Sequence, residues 1–342
     1  MEASLKNRDV LVIGAGLIGA MIANKLANTD RRVTVVDAHK VAQGATQRAI
    51  GLLTPKLNAE FLLDTTRGVD VVGEMAVSLG VPARAQRVLH LASTPADTFA
   101  LHELCNSLNS SKPKLTWETR AGLLPAGYDG GLVVNNSLLV DIEMLTARLL
   151  RHAGIKVYED IEIESLVNRD GRLSALARGH TVRTDAVVLA TNAYAGMLSP
   201  SLADASRVGR TVTWSSHPMN EQEALMARVL QALPVPLVID QAHMIVAQDL
   251  NGRLRIGAWA RENQPDDDLE TAIRRFLQTH LPEMLVQSEE WRSGSMAITA
   301  DGAPLVGRLS SDGAVLYALG VGADGAAWAL HLADRILGLL EE

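Results

Sequence analysis

The stretch "DVLVIGAGLIGAMIANKLANTDRRVTVVD", residues 9–37, constrains the fold more than any other part of the chain. A short apolar run at 9–14 meets a helical pattern at 17–28, and "RRVTVVD" (31–37) reads as a second buried strand, so the three make a βαβ unit. Glycines stand at 14, 16 and 19, between strand and helix, where each costs roughly 0.5–1 kcal/mol relative to alanine in regular structure. That placing calls for close approach of another group. Gly14 makes a tight turn, Ala15 leads to Gly16 where a pyrophosphate can meet the backbone, Gly19 packs helix on strand, and the helix N-terminus, with Leu17 and Ile18, points at the phosphates. An acid is then needed at the end of the second strand to accept hydrogen bonds from a ribose. Asp37 stands there, 23 positions after Gly14, with Ala38 and His39 bordering the same site. An acid in that place repels a 2′-phosphate, which argues against NADP.

The rest of the chain must complete that unit. Its 342 residues, 47% of them hydrophobic, leave room for one large or two intertwined domains. A net charge of −7 without a basic cluster argues against a nucleic-acid partner. The single Cys105 rules out an internal disulfide and a CxxC metal site and suits a reducing compartment. Nine histidines without HxH or HxxxH spacing give no reason to expect a metal. "MEASLKNRD" lacks the apolar core of a signal peptide, and the apolar run behind it is too short to span a bilayer, so no membrane attachment and a cytoplasmic location are expected.

Further along, 57–80 has helical spacing, "RVLHLA" (87–92) is extended, 138–153 is again helical, and "IKVYED" (155–160) returns to strand. Asp170-Gly171 and Asn251-Gly252 each sit between extended arms and suit type I′ hairpin turns. The second hairpin belongs to 211–294, which runs strand, helix (221–232), strand, strand, helix (266–280) and strand, an antiparallel α+β pattern. "DAVVLATNA" (185–193) is a buried parallel-type strand, and 314–340 is strand, glycine turn and long helix. The helix N-terminus after Gly320, Gly322, Ala323, Asp324 and Gly325 carries roughly half a positive charge, which would stabilise reduced flavin if aimed at its pyrimidine edge.

Taken with "GATQRAIGLL" after the second strand, "DAVVLATNAYA", and "TADGAPLVG" before the last strand, residues 12–55 resemble the D-amino-acid oxidase, glycine oxidase and sarcosine oxidase superfamily of FAD-dependent oxidoreductases over essentially the whole chain. The resemblance implies FAD with its pyrophosphate at Gly14, Gly16 and Gly19 and its ribose at Asp37. The loop of Gly44, Ala45, Thr46, Arg48, Ala49, Gly51 and Leu52 would run along pyrophosphate and flavin. Ile163 would meet the adenine, Ala190, Thr191 and Asn192 the ribose side, and Gly320 to Gly325 the flavin. It also implies oxidation of a small amine or amino-acid derivative by hydride transfer to flavin N5, with oxygen or another acceptor taking the electrons. A relative that oxidises a 2-hydroxy acid or alcohol, or an FAD-carrying subunit of a larger dehydrogenase complex, remains the alternative.

Departures from the family pattern are as informative. Glycine-oxidase-like members hold the substrate carboxylate with an arginine where this chain has Met296, and a second arginine of some members is Ala323 here. The active-site tyrosine is matched approximately by His243, the best polar contact for substrate and the sole catalytic candidate. Where some relatives tether flavin through a histidine or a cysteine, this chain has Arg48 and Gly294, which implies noncovalent FAD. Trp259, with Trp214, Trp291 and Trp328, would line the substrate cavity. The expected architecture is α/β, with a chain-discontinuous Rossmann-like FAD-binding domain (1–80, 135–210 and 295–342) and an antiparallel α+β substrate domain (81–134 and 211–294).

Overall fold

A computed structural model describes residues 9–58, 60–92, 94–108, 115–119, 128, 130–169, 172–218, 236–239, 243–260, 268–282, 284, 290–309 and 314–342. The chain runs β1 (Asp9–Ile13), α1 (Leu17–Ala27), β2 (Arg32–Val36), α2 (Ala45–Arg48), β3 (Leu52–Leu53), α3 (Leu62–Ser78), β4 (Ala83–Ala92), α4 (Pro95–Leu108), β5 (Leu115–Glu118), β6 (Gly130–Val140) and α5 (Ile142–Leu149). It continues with β7 (Ile155–Tyr158), β8 (Ile163–Arg169), β9 (Arg172–Ala177), β10 (His180–Thr184), β11 (Ala186–Leu189), α6 (Ala195–Leu198), α7 (Pro200–Ala205) and β12 (Arg207–Pro218). The last elements are β13 (Leu237–Ile239), β14 (Met244–Gln248), β15 (Arg253–Trp259), α8 (Asp268–His280), β16 (Glu290–Ile298), β17 (Leu305–Arg308), β18 (Val315–Leu319) and α9 (Gly325–Glu341).

Two compact units are threaded through one another along the chain. The first comprises residues 1–47, 142–209 and 295–342, the second 48–141 and 210–294. Residues 48–80 and 135–141, expected with the dinucleotide-binding half, therefore fall in the second unit. The reason is strand pairing: Leu52 and Leu53 of β3 pair with Leu139 and Leu138 of β6.

In the first unit a six-stranded sheet has the order β17-β18-β11-β1-β2-β7, parallel except for β17 at its edge. Burial on both faces explains the nearly unbroken apolar strands. One face meets the antiparallel sheet β8-β9-β10, where Leu11, Ile13, Val187 and Leu189 pack against Ile163, Leu173 and Ala175. Helix α1 packs on α9 and α5 and is buried on nearly all sides, as its almost wholly apolar sequence requires.

The second unit is built on a nine-stranded sheet, β16-β12-β15-β14-β13-β4-β6-β3 with β5 paired to β6. Register sorts its residues by face. Val212, Trp214, Met244, Val246, Ile256 and Ala258 share one face and are packed under Leu269, Ile273, Phe276 and Leu277 of α8. Thr211, Thr213, Gly257, Trp259 and Arg255 alternate with them onto the other face.

Three local expectations are corrected. Residues 138–140 end a long strand rather than begin a helix, because "LLV" pairs with 83–85 and the Asp141 N–H donates to Pro82 O, so that α5 starts only at Ile142. The Asn251-Gly252 hairpin is not type I′, since only Gly252 has positive φ. The Asp249 carboxylate accepts from the Asn251 and Arg253 amides, at 2.8 and 3.0 Å, and holds a type I turn that ends in left-handed Gly252. Trp214 and Trp328 are buried in cores, at 0% and 1% exposure, so neither lines a cavity. The expected helix at 221–232 and Asp170-Gly171 lie outside the described residues, although the flanking β8 and β9 pair in antiparallel register across that dipeptide.

Two stability predictions follow from the second unit. Trp214→Ala should cost about 3–5 kcal/mol, read from the shift of the denaturant midpoint at constant slope. Burial beside Phe276 and Tyr128 lowers the His280 imidazole pKa from its ordinary value. The unfolded chain therefore binds that proton more readily, so stability should fall as pH drops through the unfolded value of 6.5 towards the lower folded one, and His280→Phe should flatten this slope.

Candidate functional site

All four glycine-rich or polar segments singled out in the first unit leave the same edge of the parallel sheet, the carboxyl ends of β1, β2, β11 and β18, where α/β sheets bind ligands. At β1 the backbone turns at Gly14, whose φ of 112° is left-handed and whose N–H donates to Val36 O at 2.8 Å. A Cβ on Gly14 would lie 2.6 Å from Ala190 O, and one on Gly19 only 1.9 Å from Gly14 O. Gly16 differs: a Cβ there would meet only the Thr46 hydroxyl, at 3.2 Å. Two of the glycines thus serve packing and the third leaves space.

Asp37 ties the turn together. Its Oδ2 accepts the Ala15 N–H at 2.7 Å and its Oδ1 reaches past Ala38 to the His39 N–H at 2.8 Å. The Leu17 N–H, in the first turn of α1 beside Ile18, donates to Thr46 Oγ1 at 3.0 Å, which fastens the segment of Gly44, Ala45 and Thr46 to the helix N-terminus. No acid of α1's own stands in its first turn, so the charge nearest the helix start among the described hydrogen bonds is the Asp37 carboxylate on the Ala15 N–H.

Ala190, Thr191 and Asn192 follow β11, with Asn192 at a left-handed φ of 47°. Thr191 Oγ1 and Asn192 Oδ1 are buried without a hydrogen-bond partner among the described residues. Such groups cost about 1–3 kcal/mol each when left unmade. At the end of β18, Gly320 and Gly322 are left-handed, at 75° and 54°, and a Cβ on Gly322 would meet nothing within 4 Å. Ala323 and Asp324 complete a short 3-10 turn into Gly325, the first residue of α9, whose first turn again holds no acid. Ile163 is 7% exposed, with its side chain packed in the core of the first unit.

The second unit carries the other candidates. The Arg48 Nε donates to Ser293 O at 2.6 Å, and the Arg48 carbonyl accepts from Thr213 Oγ1 at 2.9 Å. Ala49 O accepts from Arg255 Nη1 at 3.0 Å, while left-handed Gly51 leads into Leu52 and would place a Cβ 2.3 Å from Val140 O. His243, at a φ of 46°, sets its ring 5.5 Å from that of Trp259, and its carbonyl accepts the Trp259 N–H. Met296 is buried, and Trp291 is stacked under Arg274 against the α8 core. Asp240, Gln241 and Ala242, just before His243, lie outside the described residues.

Arg255 and His90 were missed. The alternation of "RLRIGAW" puts Arg255 on the face of Gly257 and Trp259, and that of "RVLHLA" puts His90 beside Val238 on the same sheet. Nearby, Glu290 is held below the usual carboxylate range, first by its hydrogen bond from Arg292 and then by the charges of Arg292, Arg253 and Arg255. Cys105 is buried, which raises its thiol pKa, so it has no nucleophile's character. Among the described residues no cluster of three or more His, Cys, Asp or Glu side chains could hold a metal, and no helix is long and apolar enough to cross a membrane.

Comparison with known proteins places this arrangement. Residues 9–337 match the family described as DAO, FAD dependent oxidoreductase. A glycine oxidase of Bacillus licheniformis is 24% identical over 97% of this chain and 94% of its own. Crystal structures of glycine oxidase from Geobacillus kaustophilus and of L-proline dehydrogenase from P. horikoshii superpose with TM-scores of 0.80 each, at 18% and 16% identity, covering 98% of this chain and 95% and 93% of theirs. The chain belongs to the DAO family of FAD-dependent oxidoreductases, and its mixed α/β fold is that of the family.

The first unit fits FAD on its own evidence, through the open backbone at Gly322, the backbone at Gly16 that only the Thr46 hydroxyl approaches, and the hydroxyl and amide oxygens of Thr191 and Asn192 that find no partner among the described residues. Packing and ligand roles of the glycines should separate experimentally. Gly19→Ala is expected to lower the melting temperature sharply, because α1 must move off β1, whereas Gly16→Ala, which presses only on the Thr46 hydroxyl, should lower the melting temperature of the FAD-free protein far less and lose FAD, read from the visible absorbance per mole of protein.

Proposed function

We propose that this protein oxidises the C–N bond of a small amine or amino-acid derivative, with FAD held noncovalently at the carboxyl edge of the six-stranded sheet. The observation that carries the cofactor placement is the convergence of Gly16, the doubly bonded Asp37, and Thr191 and Asn192, whose side-chain oxygens find no partner among the described residues, at the ends of adjacent strands. The family supplies FAD dependence. The choice of an amine is supported by the resemblance to a glycine oxidase across the length of both chains.

Backbone N–H groups of the Gly14–Gly19 turn and the positive end of α1 would bind the pyrophosphate, and Asp37 would accept from the adenosine ribose. Residues 190–192 would border the ribose side, with Gly44, Ala45, Thr46 and the backbone of 48–52 alongside the pyrophosphate and flavin. The end of α9, after Gly320 to Gly325, would place its half positive charge against the flavin pyrimidine edge. Bound FAD supplies a two-electron acceptor that takes a hydride at N5 and is returned to its oxidised form by oxygen or another acceptor.

The chain's own part is positioning. Stripping hydride from the carbon bearing an amine needs the C–H held over the acceptor and the nitrogen unprotonated, and no dedicated base is required when orientation supplies the barrier lowering. His243 is the polar group offered to substrate, oriented by its Trp259 neighbour and by a strained left-handed backbone. Arg48 and Gly294 stand where some relatives tether flavin, and neither can form such a bond.

Denaturation should release intact FAD into the supernatant without proteolysis. Anaerobic mixing should then bleach the flavin with small amines or amino acids and leave it oxidised with the matching 2-hydroxy acids. Bleaching by hydroxy acids alone would move the reading to C–O oxidation. His243→Ala should keep its flavin and lose about tenfold or more in kcat; an unchanged kcat removes His243 from the site.

A further inference from the structure

Residues 37–42 leave β2 as a strap that is tied to two neighbours. One is the connection from β7 to β8: the Asp37 N–H donates to Tyr158 O at 3.1 Å, the Ile161 N–H to Asp37 O at 2.8 Å and the Asp160 N–H to His39 O at 3.4 Å. The other is the glycine turn, where the Ala42 N–H donates to Ala15 O at 3.1 Å. Glu159 closes the first joint. Its Oε1 accepts the Val41 N–H at 2.8 Å and its Oε2 stands 3.5 Å from Lys40 Nζ, which is also paired with Asp160. Ala42 and Asp160 hold left-handed backbone, at φ of 63° and 59°. A Cβ disfavours that conformation, and aspartate tolerates it better than alanine does, so the pose of Ala42 depends on the bonds around it. The charge-assisted bond from Val41 to Glu159 lies next to it in the chain.

We propose that Glu159 is a positioning residue for the adenosine half of FAD, with Lys40 in support. It acts through the strap: by holding Val41 it keeps residues 37–42 in the one path that lets the Asp37 carboxylate take both the Ala15 and the His39 amides. A strap fixed before the cofactor arrives removes an ordering cost from binding. Lys40 and Asp160 are exposed, so their pair is screened by salt and contributes less than the half-buried Glu159. The proposal rests on the reading that puts the adenosine ribose at Asp37.

Calorimetric titration of the FAD-free protein with FAD, and with ADP, which carries only the adenosine and the pyrophosphate, tests the assignment. Glu159→Ala should weaken both about 10-fold. Glu159→Gln, whose amide oxygen can still accept from Val41, and Lys40→Met should weaken both about threefold or less. Added salt should erase the difference between Lys40→Met and the wild type and leave that of Glu159→Ala. The melting temperature of FAD-free Glu159→Ala should stay within about 3 °C of the wild type, which marks the loss as one of local order. Unchanged ADP affinity in Glu159→Ala, a fall in FAD affinity that ADP does not share, no ADP binding by the wild type, or a loss of folding stability as large as the loss of binding would each overturn the assignment. Asp37→Ala tells the two readings apart: full ADP affinity in that variant removes the ribose from Asp37, while Glu159→Ala still reads the strap.

Discussion

The meeting of α1 with the end of β1 is the contact on which the rest depends. With a Cβ on Gly19 only 1.9 Å from the Gly14 carbonyl, helix and strand are closer than any side chain would allow. That approach brings the N-terminus of α1 to the sheet edge, so that Thr46 can reach the Leu17 amide and Asp37 the Ala15 amide. Asp37 then spends one bond on each oxygen to hold the backbone, which fixes the carboxylate where a ribose would meet it while leaving further lone pairs on both oxygens. A binding edge of this kind is made of backbone donors and small residues because a side chain of ordinary size would fill it.

The second unit solves a different problem with the same economy of shape. Period-2 alternation gives its sheet one face that is closed by α8 and one that carries Thr211, Thr213, Arg255 and Trp259. At Gly257 and Gly294 a loop segment is let down onto the backbone of that unit, Ile50 on the first and Arg48 on the second.

Much of this was legible in the sequence, and what was not has identifiable causes. The βαβ opening, the buried strand at 186–189 and the final glycine turn were readable because each depends on local periodicity and on glycines at fixed offsets. Boundaries were not, since the placing of 48–80 turns on β3 finding β6, a pairing no local pattern announces. The hairpin at 249–252 misled because the Asp249 side chain, rather than the Asn-Gly dipeptide, controls the turn. Tryptophan position was read and tryptophan burial was not: Trp214 and Trp259 both flank the sheet, yet their opposite parity sends one under α8 and the other to the polar face. The pose of Arg48 required knowing that residue 294, far along the chain, is a glycine lying beneath it.

The interleaving of the two units bears on how the chain is made. The six-stranded sheet takes β1 and β2 from early in the sequence and β18, followed by α9, from some 280 residues later. Strand β11 pairs with both β1 and β18, and α1 packs on α9, so neither the sheet nor its helical cover is finished until synthesis has passed α9. The glycine turn between β18 and α9 is therefore the last part of the dinucleotide edge to exist. Until β11 and β18 are made, the apolar strands β1 and β2 lack their partners on that side, the kind of exposed strand edge that favours chaperone capture. Loading of the cofactor is in this sense a test that β18 and α9 have joined the sheet, because only then are both halves of the edge present at once.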